Sequence, residues 1–306
     1  MERPGTTPTR IYATRKGLLE GSWRTGAMLA AGIALAALAG CTSSPAPEKP
    51  LLHTTKAFDA IFGELPPMTV PGPCYGTVAY FPSLREPGKY RPLPIFSAEQ
   101  GKEERLTVRT VIRGVDADGL AEEIDFPFPR GSDLDSLAYE GGVVKIRLAG
   151  TFPGAGFSGK RAAEALALTV AQFGKAATVE VTDAAGRVAY TGRADRARTA
   201  DVGSPKTLGV IAIREEKNRP PSVLSVLFDR PVFIEDISIY PPGGKTAYPG
   251  KSYSTGFGMS VELHPEPKVD FDPDTAYHVR MAVRDGKGRR TKEERDWKPK
   301  AVTRDG

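Results

Sequence analysis

The sequence predicts an α+β domain followed by an all-β domain on a single chain of 306 residues. Three observations support this fold class. The length is typical of two domains. Helical and strand-like patterns alternate between residues 75 and 192, and only strand-like patterns occur between residues 205 and 300.

The composition excludes several functional classes at the outset. The net charge is +5, but much of the basic excess lies within residues 1–40, and the remainder is close to neutral. A nucleic-acid partner is therefore not expected. Two cysteines cannot build a disulfide framework, and three widely spaced histidines form no local metal motif.

The N-terminal residues predict a lipoprotein signal peptide. Residues 27–39 are thirteen residues without a charge, preceded by a basic stretch. As a helix they would extend about 20 Å, which is too short to cross a bilayer core of about 30 Å. Leu38, Ala39, Gly40 and Cys41 match the bacterial lipobox, in which the cysteine thiol receives a diacylglyceryl group.

Lipidation at Cys41 predicts where the mature protein is found. The fatty acyl chains, such as palmitate, would bind the bilayer stably, since two chains suffice where one is marginal. Thr42 follows the cysteine in place of Asp, which predicts delivery to the outer membrane, facing the periplasm, in a double-membrane cell. In a single-membrane cell the same signal predicts the outer face of the plasma membrane.

Predicted elements divide the chain into five parts. The first domain has the order β, β, α, β, β, α, β, with a helix over 102–114 that places Val108, Val111, Ile112 and Val115 on one face, and a second helix over 158–174. The Pro-rich residues 51–73 are expected to be mostly irregular, with a short turn around 58–62. The parts are a signal peptide (1–40), an anchor and Ser/Pro-rich tether (41–74), an α/β domain (75–192), a charged linker (193–204) and a β-sandwich (205–300).

The first domain resembles a GerMN domain, the module of sporulation and spore-germination lipoproteins that also occurs in envelope lipoproteins of bacteria that form no spores. The similarity rests on successive blocks in order: YFP at 80–82, IRG at 112–114, PFPRGS at 127–132, VVKIRLAGTF at 143–152 and ALALTVAQFGKAATVEVTDAAGR at 165–187. The resemblance implies a ring-building-motif-like fold, with two helices on a small mixed sheet, and a role in envelope assembly without catalytic residues. Only one copy is present, in place of the usual two. Residues 224–232 and 277–289 are similar, more weakly, to immunoglobulin-like domains.

Three features of the sequence resemble functional sites. Residues 154–160 match the GxxxxGK pattern of a phosphate-binding loop, but Arg161 occupies the place of the Ser or Thr that reaches magnesium, so we expect no nucleotide. Asp270, Asp272 and Asp274 begin like a calcium loop whose later ligands are missing, so a turn with solvated aspartates is favoured. Cys74 is interpreted as a small buried hydrophobe, with a nucleophile assisted by His264 or His278 as the alternative. No metal, no cofactor and no catalytic residue are predicted.

The exposed face of the mixed sheet is the predicted docking surface. Lys145 and Arg147 alternate with apolar residues in VVKIRL, and Thr178 and Glu180 do so in TVEV, so these four side chains are expected on one outward face. The competing arrangement has the β-sandwich covering this face. The basic segment after Arg280 is interpreted as a solvated end, or else as a patch for anionic lipids or wall polymers.

Together these features predict a non-enzymatic envelope lipoprotein that scaffolds or regulates a cell-wall assembly through a protein partner. The alternative is a binding module for cell-wall glycan or a small solute. A pulldown with wall sacculi separates the two, because saturable sedimentation is expected only of the binding module.

Overall fold

The computed structural model describes residues 52–67, 72–115, 118–150 and 159–304, all within one compact unit, Lys49–Gly306. The fold is α+β. Its strands are β1 (Leu52–Thr54), β2 (Cys74–Pro82), β3 (Tyr90–Ser97), β4 (Leu134–Glu140), β5 (Val143–Leu148), β6 (Thr178–Thr182), β7 (Val188–Arg193), β8 (Thr207–Arg214), β9 (Val223–Phe228), β10 (Phe233–Tyr240), β11 (Gly250–Thr255), β12 (Ser260–Pro265), β13 (Tyr277–Arg284), β14 (Arg290–Trp297) and β15 (Lys300–Thr303). The α-helices described are α1 (Lys56–Phe62), α2 (Glu103–Arg113) and α3 (Gly159–Ala171).

The segment expected to be irregular contains a strand and a helix. β1 pairs in parallel with the start of β2, and α1 follows it directly. The Thr55 hydroxyl accepts a hydrogen bond from the Phe58 amide at 3.2 Å, which caps the helix N-terminus. Phe58 and Phe62 are buried, so this short helix is stabilised mainly by packing.

The first half of the chain, from β1 to β7, differs from the single mixed sheet that the sequence predicts. Its strands form two sheets, β1-β2-β3 and β4-β5-β6-β7, and α2 and α3 lie between them. One hydrophobic cluster includes side chains from both sheets and both helices. α3 contacts β2 on one side and β6 and β7 on the other, which explains why it is apolar nearly all round. α2 ends at Arg113, with Gly114 as its C-cap, so Val115 lies beyond the helix on whose face it was predicted.

Side chains of α3 and of Gln172, the residue that follows it, complete the edge of β2. β1 pairs with β2 only as far as Gly76, which leaves the following backbone groups without a strand partner on that side. The Gln172 amide accepts from the Val78 N–H at 2.9 Å and donates to the Val78 carbonyl at 2.6 Å. The Thr169 hydroxyl accepts from the Tyr80 N–H at 3.2 Å. The helix thereby satisfies buried backbone groups that a sheet edge would otherwise expose.

The second half of the chain, from β8 to β15, consists of a five-stranded sheet, β11-β12-β9-β8-β15, and a three-stranded sheet, β10-β13-β14. Neighbouring strands are antiparallel except β8 and β15, which are parallel. Buried side chains from both sheets share one hydrophobic cluster. Residues 290–297, expected within a solvated basic end, form the edge strand β14, which pairs with β13 along its whole length.

The two halves contact each other through β3, the end of α1 and the short turn 118–120. The α1 C-terminus meets the turn after β13, where Gly63 forms a parallel bridge with Gly286. A Cβ added at Gly286 would lie 2.0 Å from the Glu64 carbonyl oxygen, so only glycine permits this approach. The Phe96 and Phe257 rings stack with centroids 4.8 Å apart. Within residues 193–204, Ala200 and Val202 are buried, and the Ala200 amide donates to the Tyr90 carbonyl at 2.9 Å.

Candidate functional site

The alternation of β5 and β6 places four side chains on the outer side of the four-stranded sheet. We call Lys145, Arg147, Thr178 and Glu180 the docking face. Val144, Ile146, Val179 and Val181 point to the opposite side and are buried under the helices. The period of two residues in a strand therefore separates a buried apolar face from a polar outer face, as the sequence predicts.

Ion pairs within the sheet order the long side chains of the docking face. β5 and β6 are parallel with Lys145 opposite Glu180, and the Lys145 ammonium lies 2.6 Å from a Glu180 carboxylate oxygen. On the other side of β5, Arg147 Nε donates to an Asp135 oxygen at 2.5 Å. The Lys145 side chain is 35% exposed and that of Arg147 is 50% exposed. Two cations and two carboxylates therefore lie on a solvent-accessible sheet surface.

The second half of the chain meets the first half elsewhere. Its contacts involve Arg91 and Phe96 of β3, the end of α1, and Gly119 in the short turn 118–120, on which Leu208 packs. The half-exposed Arg147 pair is incompatible with burial under another part of the described chain. The docking face is thus available to water or to another molecule.

A buried ionic cluster forms at the junction of the two halves, and sequence reasoning missed it. Arg91 lies 2.8 Å from Asp229 and 3.2 Å from Glu123. Arg230 contacts Asp229 at 2.8 Å and Asp285 at 3.3 Å. We call these five residues the junction cluster. All five are almost completely buried.

The junction cluster carries no sequence signal because its members come from four distant segments and only Asp229 and Arg230 are adjacent. The surplus of carboxylates is offset at the rim, where Lys206 contacts Glu123 and Arg289 Nε donates to Asp285 at 2.6 Å. Removing one partner from such a set leaves an uncompensated buried charge. The arrangement is therefore well suited to fix the two halves in one geometry.

The lipobox residues Leu38, Ala39, Gly40 and Cys41 lie outside the described residues. So do residues 154–158 of the glycine-rich motif; α3 begins at Gly159, immediately after them. Among the described residues, no helix is long and apolar enough to cross a membrane.

Cys74 lies in β2 and is buried, with 1% of its surface exposed. Burial raises the pKa of its thiol to about 11, so the unreactive protonated form dominates at neutral pH. His264 contacts Glu262 at 3.1 Å, and His278 contacts Asp296 at 2.9 Å and Glu294 at 3.1 Å. These polar contacts of both histidines are thus with carboxylates of their own sheets.

The Asp270–Asp274 segment forms a self-contained turn. Asp272 accepts hydrogen bonds from the Asp274 amide at 2.9 Å and from the Thr275 hydroxyl at 2.8 Å, and these hold the pKa of Asp272 below its usual value. Asp274 pairs with Lys298 at 3.1 Å. In the part of the chain that the structure describes, no three His, Cys, Asp or Glu residues are grouped so as to hold a metal ion.

Comparisons of the chain with protein-family models, with curated proteins and with solved structures gave no match.

Proposed function

We propose that this protein is a lipid-anchored component of the bacterial cell envelope that acts through a protein partner and not as an enzyme. The observation that carries the proposal is the sequence Leu38-Ala39-Gly40-Cys41 at the end of a thirteen-residue apolar segment. Small residues, the end of the apolar segment and a cysteine coincide there, and a Ser/Pro-rich stretch follows. Residues 42–51 give the anchored chain a reach of at most about 35 Å from the membrane surface.

The docking face supports interaction with a protein partner. A flat sheet surface with alternating charges is able to bind a complementary charge pattern, and such patterns contribute more to specificity and encounter rate than to affinity. The strand β4 borders this surface as the outer strand of its sheet, and such an edge is a typical place for a partner chain to pair. The finer classification, a GerMN-like first domain and an immunoglobulin-like second domain, is part of this proposal. It rests on the sequence blocks, on the helices packed against the mixed sheet and on the two β-sheets of the second half.

Substitution of Cys41 tests the anchor. The Cys41→Ser variant is expected to leave the membrane fraction, because no acyl chain is then attached. Cys74→Ala is the matched control, since it removes the other cysteine and should stay with the membranes. Retention of Cys41→Ser in washed membranes would overturn the proposed anchor.

A charge exchange tests the docking face with little effect on the fold. The double variant Lys145→Glu/Glu180→Lys keeps an ion pair across β5 and β6 but inverts the charge pattern that a partner meets. In a crosslinking experiment in cells, the intensity of the principal partner band should fall at least fivefold in this variant. The melting temperature of the variant should equal that of the native protein. The same exchange at the exposed pair Glu216 and Arg219 is the control. An unchanged band in the first variant would refute docking at this face.

A further inference from the structure

A cleft of about 310 Å³ opens on the first half of the protein, away from the docking face. The turn between β2 and β3, the first turn of α3 and the short turn 196–198 form its walls. It is lined by Ser83, Leu84, Pro87, Gly88, Lys89, Tyr90, Arg161 and Arg198. Its volume is at the lower end of the range for small-molecule pockets, about 300–1,000 Å³.

Hydrogen bonds fix the floor of the cleft before any ligand binds. Arg198 Nε donates to the Gly88 carbonyl at 2.8 Å, and its Nη1 lies 2.8 Å from the Glu164 carboxylate. The same carboxylate accepts from the Tyr90 hydroxyl at 2.5 Å, and the Arg198 guanidinium lies over the Tyr90 ring at 5.1 Å. Because Tyr90 and Glu164 are largely buried, these side chains have little freedom to move. A pre-ordered site loses less entropy when it binds.

The turn that forms the opposite wall is fixed in the same way. The Ser83 hydroxyl accepts from the Glu86 amide at 3.0 Å, and the Glu86 carboxylate accepts from the Asp201 amide at 3.1 Å. The turn is thus tied both to its own start and to the chain that follows residues 196–198. Both walls belong to well-bonded parts of the described chain.

Three cations border this cleft, and two of them have only weak partners. Lys89 pairs with Glu86 and Arg161 with Asp125, in pairs whose four side chains are each 34–47% exposed. The Arg161 pair is long, at 3.6 Å. Exposed pairs of this kind contribute at most about 1 kcal/mol, so an incoming anion is able to displace the carboxylates. A guanidinium binds carboxylate or phosphate through two parallel hydrogen bonds.

Two side chains of the turn between β2 and β3 give that wall of the cleft an apolar part. Leu84 is 49% exposed, and Pro87 lies beside it. An oxyanion alone would leave this surface in water, whereas a ligand that also has a carbon skeleton would cover it.

We propose that this cleft binds a small organic anion, of about monosaccharide size, that carries a carboxylate or phosphate group. Arg161 and Lys89 contact the oxyanion, Arg198 and Tyr90 form the fixed floor, and Leu84 and Pro87 cover the carbon skeleton. This site requires neither the lipid anchor nor the docking face, so its test is independent of theirs.

Titration of the full chain with three probes tests the proposal: glucuronate, inorganic phosphate and neutral glucose. Isothermal calorimetry should give a millimolar or tighter Kd for glucuronate or phosphate, at least tenfold tighter than for glucose. Tighter binding of glucuronate identifies a carboxylate site and tighter binding of phosphate a phosphate site. No saturable binding of either anion up to about 10 mM, or equal binding of glucose, would overturn the proposal.

Two variants locate the binding. Arg161→Gln and, separately, Lys89→Gln should each weaken binding of the favoured anion at least fivefold, with melting temperatures unchanged because both side chains are exposed. Arg219→Gln, at an exposed ion pair with Glu216 outside both proposed sites, is the matched control and should leave binding unchanged. Equal affinity in all three variants and the native protein would assign the anion to another surface and refute the cleft.

Discussion

Arg230 is the largest fully buried side chain in the described structure, and two carboxylates and two carbonyl groups accept hydrogen bonds from it. Its guanidinium donates to Asp229 and Asp285 and to the carbonyl groups of Val202, at 2.6 Å, and Gly203, at 2.9 Å. We expect Arg230→Met to lower the free energy of unfolding by about 3–5 kcal/mol, because it takes one of the two cations from each buried carboxylate and removes the donor of two buried carbonyl groups. Urea denaturation followed by circular dichroism measures the change.

The control for Arg230→Met is Arg219→Met, which removes a charge from an exposed pair with Glu216. Its effect should stay within about 0.5 kcal/mol. A loss below about 1 kcal/mol in Arg230→Met would mean that the junction cluster is not a principal source of stability.

Asp133 provides a prediction for acid pH. Its carboxylate accepts two hydrogen bonds from Arg109, at 2.8 and 2.9 Å, and is also bound by Arg113 and by the Leu134 amide. These donors hold the pKa of Asp133 well below its usual range. A carboxyl group whose pKa is lowered by folding stabilises the protein above its unfolded pKa, about 4, and this contribution is lost as the pH falls toward the folded value.

Asp133→Asn should therefore destabilise the protein by about 1–2 kcal/mol at pH 7, and the difference should narrow steadily as the pH falls below about 4 toward the lowered pKa of Asp133. Urea denaturation of both proteins at a series of pH values measures the difference. A stability gap that is equally large at pH 7 and pH 2 would contradict this assignment.

At the scale of elements, α3 lies directly on β7 at a glycine. A Cβ added to Gly192 would lie 2.3 Å from the backbone carbonyl of Ala163. Gly192→Ala should cost about 1–3 kcal/mol, because the helix has to move away from the sheet. Gly209→Ala in β8 is the control, since no atom lies within 4 Å of the added carbon and little change is expected. Equal denaturation midpoints for the two variants would argue against this close contact.

Several elements with a clear apolar period were predictable, whereas β8 (TLGVIAIR) was missed despite its apolar pattern, and so were elements stabilised mainly by tertiary contacts. α2, α3 and the β4–β5 hairpin agree with prediction to within a few residues, because their patterns match a period of 3.6 or 2. β14 was missed because its sequence, RTKEERDW, has no apolar face; its exposed side chains face water, and β13 supplies the pairing. α1 is too short for a periodic signal, although Thr55 and Phe58 mark its start.

At the scale of the whole molecule, local patterns could not show how the two halves meet. The alternation of apolar and charged residues in β5 predicted that the Lys145 and Arg147 side chains point away from the core. In the structure both side chains point that way. Nothing in the sequence indicated that Arg91 and Asp229 would meet in a buried pair. Such contacts depend on the complete fold, so the candidate docking face was predictable in advance, and both the junction cluster and the anion cleft required the structure.

The junction predicts that the two halves unfold together. Between them lie the buried junction cluster, the Phe96–Phe257 stack and the backbone contact of Gly63 with Gly286, and Arg289 adds a hydrogen bond to the Ile61 carbonyl at 2.7 Å. Differential scanning calorimetry should show one transition whose calorimetric and van't Hoff enthalpies agree.

Gly286→Ala should separate this transition into two. The added methyl group would lie 2.0 Å from the Glu64 carbonyl oxygen, so the end of α1 has to leave the turn after β13. The two halves would then melt at different temperatures, since their hydrophobic clusters are distinct. Lys287→Ala, one residue away and exposed, should keep a single transition. Two transitions in the native protein, or an unchanged single transition in Gly286→Ala, would show that this contact does not couple the halves.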